Sequence, residues 1–238
     1  MKRAIVVGAT SGIGRQLALL LADAGYMVGA TGRRLQLLEE LKVEKPGNII
    51  TSCFDITHIN EVNDRLDQLT EKLGGLDLLI LSSGTGDINK ALHFRIEKHT
   101  IDVNVSGFTA VSDWAFNYFR HQQSGQLAAI TSIAGIRGSK MAPAYNASKA
   151  YQVNYLEGLR QKAKNLKMPI HITDVRPGFV KTDMAKGEGV FWVAPVEKAA
   201  RQIFRAIMNK RDVVYITKRW RLIAALFRLI PGSIYKRM

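Results

Sequence analysis

Seven short apolar runs punctuate this chain of 238 residues, and longer stretches with helical spacing separate them. The runs cover residues 4–7, 26–30, 49–53, 76–81, 127–131, 170–175 and 213–216. Several are nearly continuous in Val, Ile and Leu, the composition of strands buried on both faces. Among the intervening stretches, residues 13–24 put Ile13, Leu17, Leu20 and Leu21 on one helical face. Residues 62–73 and 145–166 carry similar spacing. Strands alternating with helices predict repeated β-α-β units, hence an α/β fold with a doubly wound parallel sheet and helices on both faces. No Pro-, Gly- or Ser-rich linker and no internal repeat divides the chain. The expectation is one domain over residues 1–217, followed by a basic amphipathic helix within residues 218–238.

The charge is unusual for such a domain: 34 Lys+Arg against 20 Asp+Glu give +14. That balance points to anionic company, whether a phosphorylated ligand, nucleic acid or an acidic membrane surface. No helix-turn-helix, zinc finger or aromatic-basic sheet motif supports nucleic acid, so none is expected. The single cysteine, Cys53, cannot form an internal disulfide, and no Cys/His cluster offers a metal site, which suits a reducing cytoplasm. Only residues 4–7 are apolar before Gly8, too short for a secretory leader, and no apolar run approaches the ~18–20 residues of a membrane span.

Gly8-Ala9-Thr10-Ser11-Gly12-Ile13-Gly14 closes the first strand and opens the first helix. Glycines there allow a tight turn and let the backbone approach a pyrophosphate held at the helix N-terminus. The spacing is G-x-x-x-G-x-G, and with the motifs below it resembles the short-chain dehydrogenase/reductase family. The resemblance implies a Rossmann-type domain over most of residues 1–217. It makes Gly8, Thr10, Ser11, Gly12, Ile13 and Gly14 cofactor contacts. The second strand ends at Thr31-Gly32-Arg33-Arg34. A carboxylate there would accept hydrogen bonds from ribose hydroxyls, whereas two guanidiniums suit a 2′-phosphate. The expected cofactor is NADP(H), with Arg33 as the main phosphate contact and Arg34, Ser11 and Arg15 assisting. The plainer alternative is that both arginines only solvate a helix start. Asp55-Ile56 matches the family's adenine-contacting segment. Ser82-Ser83-Gly84 stands where the family has Asn-Asn-Ala-Gly, so Ser83 and Gly84 are expected to meet the cofactor through a differently built loop.

Tyr145-Asn146-Ala147-Ser148-Lys149 is the family's Tyr-x-x-x-Lys. Positions i and i+4 share a helix face, so both side chains can address one ligand. A nearby ammonium favours the phenolate and is expected to lower the tyrosine toward neutrality. Taken alone, such a pair is an ordinary surface pattern; Ser132, thirteen residues earlier at a strand end, changes that reading. Asn104 matches the family's asparagine that helps hold a water joining the lysine to solvent. Asn104, Ser132, Tyr145 and Lys149 thus form the family's tetrad in order, and Pro177, Gly178, Val180 and Thr182 match its nicotinamide-contacting segment. The resemblance implies hydride transfer between NADP(H) and a carbonyl, with Tyr145 as proton donor, Ser132 orienting the oxygen, and Lys149 tuning Tyr145 and holding the nicotinamide ribose. A non-catalytic NADP-binding sensor or scaffold at a membrane surface is the alternative.

Residues 218–238 hold six basic side chains, Lys218, Arg219, Arg221, Arg228, Lys236 and Arg237, and no acidic one. On a helix, Trp220, Ile223, Phe227 and Ile230 form a stripe. The expectation is an interfacial helix with this stripe in an anionic membrane; the alternative is packing on the core or a partner subunit. A membrane site would suit a lipophilic substrate, such as a 3-keto-sphingoid or 3-keto-acyl lipid. Phe179, Met184, Val190, Phe191 and Trp192 give the expected covering segment an apolar character. A homo-oligomer, cytoplasmic and peripheral on a membrane's inner face, completes the expectation.

Overall fold

Each apolar run becomes a strand. The structure, a computed structural model, describes residues 1–182 and 191–237. Met184 and Val190 of the expected covering segment lie outside the described residues. The strands are β1 (Arg3–Val7), β2 (Met27–Gly32), β3 (Ile49–Cys53), β4 (Leu78–Leu81), β5 (Gly125–Ile130), β6 (Ile170–Pro177) and β7 (Val213–Ile216). They form one sheet in the order β3-β2-β1-β4-β5-β6-β7, and every neighbouring pair is parallel. Order reverses between β1 and β4, and in such sheets ligands bind in the crevice beyond the carboxyl ends of the strands at that point.

The helices are α1 (Gly12–Asp23), α2 (Leu35–Glu44), α3 (Ile59–Leu73), α4 (Phe94–Ile101), α5 (Phe108–Gln122), α6 (Pro143–Asn165), α7 (Val196–Met208), α8 (Trp220–Leu229) and α9 (Gly232–Tyr235). Side-chain alternation along β1 divides the core into two layers. Ile5 and Val7 pack under α3, α5 and α6 with Leu66, Phe119 and Leu156. Ala4 and Val6 pack under α1, α2 and α7 with Leu17, Leu38 and Ile203. Both faces of the sheet are covered, as the unbroken apolar runs require.

The C-terminal segment does not present its expected stripe to a membrane. Trp220 is 2% exposed, and its ring meets Phe179, Phe191 and Trp192 at centroid distances of 5.5, 5.1 and 5.8 Å. A side chain at Gly178 would collide with the Trp220 indole, so only glycine lets the two approach. Ile223, Phe227 and Ile230 are half-buried on the same side. The carbonyl of Ile230 accepts from Arg137 Nη2 at 3.1 Å, which ties the end of α8 to the loop after β5. The stripe is a packing face: Trp220 finds apolar partners in the β6–α7 connection, and the Phe227 ring meets Tyr235 edge-on. Leu222, Leu226 and Leu229 point outward instead. Among the described residues, no helix is long and apolar enough to cross a membrane.

Candidate active site

The glycine turn is built to leave backbone donors open. β1 ends at Val7, and Gly8 turns with φ +90°, where its N–H and that of Ala9 donate to Thr31 O at 3.0 and 2.8 Å. A Cβ on Gly14 would run into the Gly8 carbonyl. Ser11 is the N-cap of α1 but makes no side-chain cap, and no acid lies in the first turn. The helix thus starts with unpaired N–H groups and a positive dipole end, the arrangement that holds phosphate. Arg34 is lodged there: Nη2 donates to Thr10 Oγ1 and Ser11 Oγ, each at 2.7 Å. Arg33 sits farther out, its Nη1 3.4 Å from Asp55 Oδ2 and its side chain 57% exposed. Arg15 is paired with Glu44 at 2.5 Å. Asp55 accepts from Thr57 N at 2.9 Å. Burial pushes its carboxyl up, but the Thr57 hydrogen bonds and the Arg33 charge outweigh that and hold it below the usual range. The open N–H groups and the guanidiniums are donors of the kind that the phosphates of a dinucleotide require.

The carboxyl ends of β4, β5 and β6 carry the remaining site residues. Ser132 follows β5 and caps a short 3₁₀ turn, Ile133–Ile136, its Oγ accepting from Ala134 N at 3.0 Å. Tyr145 and Lys149 lie one turn apart near the start of α6. Lys149 Nζ is 5.8 Å from the Tyr145 ring centroid. Burial pushes the Tyr145 phenol up, and the Ser132 hydroxyl pulls the other way. Burial brings Lys149 down to about 8, against the attraction of Asp174. The lowering of the tyrosine expected from Lys149 is therefore not the dominant influence; desolvation of both groups is.

Asn104 is fully buried in a π-helical turn, Asp102–Gly107, between α4 and α5. Such single-turn widenings recur at functional sites because they re-aim one side chain. Both ends of its amide engage the loop after β4: Oδ1 accepts from Thr85 N at 2.9 Å and Nδ2 donates to Thr85 O at 2.7 Å. Nδ2 also reaches Ser148 Oγ at 3.0 Å, and that hydroxyl donates to Tyr145 O at 2.8 Å. The variant Ser82-Ser83-Gly84 turn is thus anchored through Thr85, and Ser82 N still extends the sheet by donating to Val7 O at 2.8 Å. Ser83 backs directly onto Gly8. Gly84 lies beside Lys149 and Asn104, where a Cβ would stand 3.4 Å from Nζ and 3.5 Å from Oδ1. After β6, Gly178 N donates to Ile216 O at 2.6 Å, and Val180 bridges to Ala194. Thr182 approaches the glycine turn, its Cγ2 3.2 Å from a Cβ built on Gly12. One crevice therefore gathers the glycine turn, the tetrad and the segment after Pro177. Ile56 packs instead in the core under α3.

Three participants escaped the motif reading. Gln152, one turn beyond Lys149, accepts from Nζ at 3.0 Å and donates to Asn104 O at 2.9 Å. Its i+3 spacing from Lys149 was a usable signal. Glu97 on α4 accepts from Ala144 N at 2.9 Å and from Asn89 Nδ2 at 2.5 Å, capping the helix that carries Tyr145. Asp174 is fully buried, holds Arg176 Nη2 at 2.6 Å and accepts from Thr131 Oγ1 at 2.6 Å, next to Ser132. The contacts that tie these acids to the site, Glu97 to Ala144 N and Asp174 to Thr131 Oγ1, span 47 and 43 positions, beyond any local sequence signal. A groove of about 840 Å³ between α3 and α5, edged by Asp67, Trp114 and His121, includes none of the tetrad.

A family model described as short chain dehydrogenase matches residues 2–189. An uncharacterized oxidoreductase of Myxococcus xanthus is 35% identical over 188 residues, spanning 77% of this chain and 74% of that protein. Carbonyl reductase family member 4 of Xenopus tropicalis is 30% identical over 184 residues, 76% of this chain and 77% of its own. A short-chain dehydrogenase from Streptomyces avermitilis superposes with TM-score 0.81 at 23% identity, covering 95% of this chain and 91% of that one. ElxO, solved with NADP bound, superposes with TM-score 0.78 at 22% identity over 90% of this chain and 96% of its own.

Proposed function

This chain belongs to the short-chain dehydrogenases, oxidoreductases that use a nicotinamide cofactor, and on that premise we propose that it is an NADP(H)-dependent carbonyl reductase acting on a lipophilic ketone or its alcohol. The observation that carries the reading is the continuous set of contacts joining Asn104, Ser148, Tyr145, Lys149 and Ser132 at the strand ends. When bound, NADPH supplies the hydride. Ser132 orients the carbonyl oxygen, and Tyr145 gives it a proton. Burial keeps that phenol protonated around neutrality, which suits donation and hence the reductive direction. Lys149 holds the nicotinamide ribose, and Asn104 fixes the loop beneath it.

Preference for NADP(H) rests on two arginines and no unpaired acid at the end of β2, with Arg34 seated at the phosphate-binding turn. A structural neighbour with NADP bound agrees with it, and a relative named as a carbonyl reductase agrees with the choice of reaction. The lipophilic substrate rests on the aromatic cluster of Phe179, Phe191, Trp192 and Trp220 beside Gly178. The sensor or scaffold alternative has less support, because the tetrad is complete and Asn104 anchors the variant Ser82-Ser83-Gly84 turn through Thr85.

Peripheral attachment to the cytoplasmic face of an anionic membrane belongs to the same reading, through a different face of α8. Leu222, Leu226 and Leu229 are 74, 55 and 79% exposed. At ~100° per residue they lie within about 60° of each other, opposite Trp220. Arg221 and Arg228 lie beside them on α8, and residues 218–238 hold no acid. Self-pairing of this patch across a two-fold axis would set like charges together, whereas anionic headgroups complement them. A homo-oligomer would form through other surfaces.

The test is a panel of ketones and alcohols followed by NADPH absorbance, with and without phosphatidylserine vesicles. Turnover of no carbonyl compound would sink the reductase reading. Failure of the full chain to co-sediment with the vesicles at low salt would sink the membrane reading alone, as would undiminished binding by Leu226→Glu.

A further inference from the structure

A buried ammonium must have its hydrogens met by acceptors, because water cannot reach it. Lys149 is 3% exposed, and two acceptors meet it: Ile130 O at 3.1 Å and Gln152 Oε1 at 3.0 Å. Gln152 is 1% exposed, and its Nε2 donates to the backbone carbonyl of Asn104 at 2.9 Å. The orientation of that amide is forced. Lysine only donates and a carbonyl only accepts, so Oε1 faces Lys149 and Nε2 faces Asn104.

We propose that Gln152 is a positioning residue for the reaction, its side-chain amide holding the Lys149 ammonium against the end of β5 and tying it to the backbone of the π-turn. The amide links lysine and the backbone of Asn104 directly. A fixed amide, unlike a water, accepts from one side and donates to the other without exchanging. It therefore sets where the ammonium points. The proposal rests on the reductase reading for its effect on rate, but not for its effect on Lys149 itself.

The groups facing Lys149 fix the sign of the test. Tyr145 lies on the same helix. On β6, Asp174 favours the charged lysine, and Arg176 is held on Asp174. Asn104 in the π-turn is neutral, and Gly84 after β4 brings no side chain. Burial lowers Lys149 to about 8, so the loss of an acceptor lowers it further, and an added negative charge raises it.

The experiment follows the Lys149 side chain by NMR in the full chain with carbon-labelled lysine, the signal being assigned by its loss in Lys149→Arg. The pH profile of NADPH-dependent ketone reduction is measured beside it. Gln152→Leu should move the Lys149 midpoint down by about one pH unit. The alkaline limb of kcat should follow, and kcat should fall about tenfold. Gln152→Glu keeps the shape and adds charge, so both midpoints should move up; it carries the test if the leucine variant does not fold. An unshifted lysine titration in the variants overturns the proposal. So does a lowered melting temperature with kcat and its pH profile unchanged, the mark of a purely structural residue. If the wild-type chain reduces no carbonyl, the reductase reading fails, while the NMR titration still decides the role of Gln152.

Discussion

Tyr145 and Arg34 show how much of a residue's meaning depends on what surrounds it. Tyr145→Phe keeps the ring that packs against Gly86 and removes the only proton it could give. NADPH turnover of the best ketone should fall by about 10²-fold or more, with cofactor affinity nearly unchanged. Near-normal turnover would remove Tyr145 from the chemistry. At the phosphate turn, the two adjacent arginines have different seats: Arg34 against Thr10 and Ser11, Arg33 out at Asp55. Arg34→Ala should weaken NADPH binding by about 1.5–3 kcal/mol, the scale of a charge-assisted hydrogen bond, and NADH binding far less. Arg33→Ala should cost less than Arg34→Ala, since its guanidinium is mostly in water. Titration calorimetry with both cofactors checks this. Equal losses for NADPH and NADH would mean that Arg34 only braces the turn.

At the scale of elements, strand positions were legible because buried parallel strands need unbroken apolar runs; residues 49–53 and 213–216 match β3 and β7 to the residue. The helix carrying Tyr145 was legible too, but not what holds its start. Ala142 is its N-cap and offers no side-chain acceptor, so the Glu97 carboxylate from α4 does that work at Ala144 N. A carboxylate at a helix N-terminus satisfies an orphan N–H and meets the positive dipole end. Glu97→Ala should cost about 0.5–2 kcal/mol of stability and lower kcat, because Tyr145 sits on that first turn. Glu97→Gln keeps an acceptor and should recover part of both. Chemical denaturation beside steady-state kinetics distinguishes the outcomes, and equal losses in the two variants would contradict the capping role. The π-turn at Asn104 had no sequence signal either, since one extra residue in a helical turn leaves its composition ordinary.

For the whole molecule, the revealing element is α8. A domain bounded at residue 217 would leave α8 outside the core, yet Trp220 is packed against Gly178 and three aromatic rings. Trp220→Ala should lose about 3–5 kcal/mol, the cost of emptying a buried aromatic site. At ~2–4 °C per kcal/mol for a chain of this size, the melting temperature should fall by about 6–20 °C. Trp220→Phe should be much milder, because the buried indole Nε1 has no hydrogen-bond partner among the described residues. An unchanged melt for Trp220→Ala would return α8 to the role of a loose appendage. The sequence by itself determined the alternating fold, the glycine turn and the tetrad, because each is written in local spacing: apolar runs of four to six residues, a three-glycine turn, an i/i+4 pair. Tertiary structure alone decided which apolar stripe of α8 turns inward, which arginine occupies the phosphate turn, and which buried groups hold Lys149. Those choices belong to contacts between residues tens of positions apart, where packing volume and hydrogen-bond satisfaction, and not periodicity, select the partner.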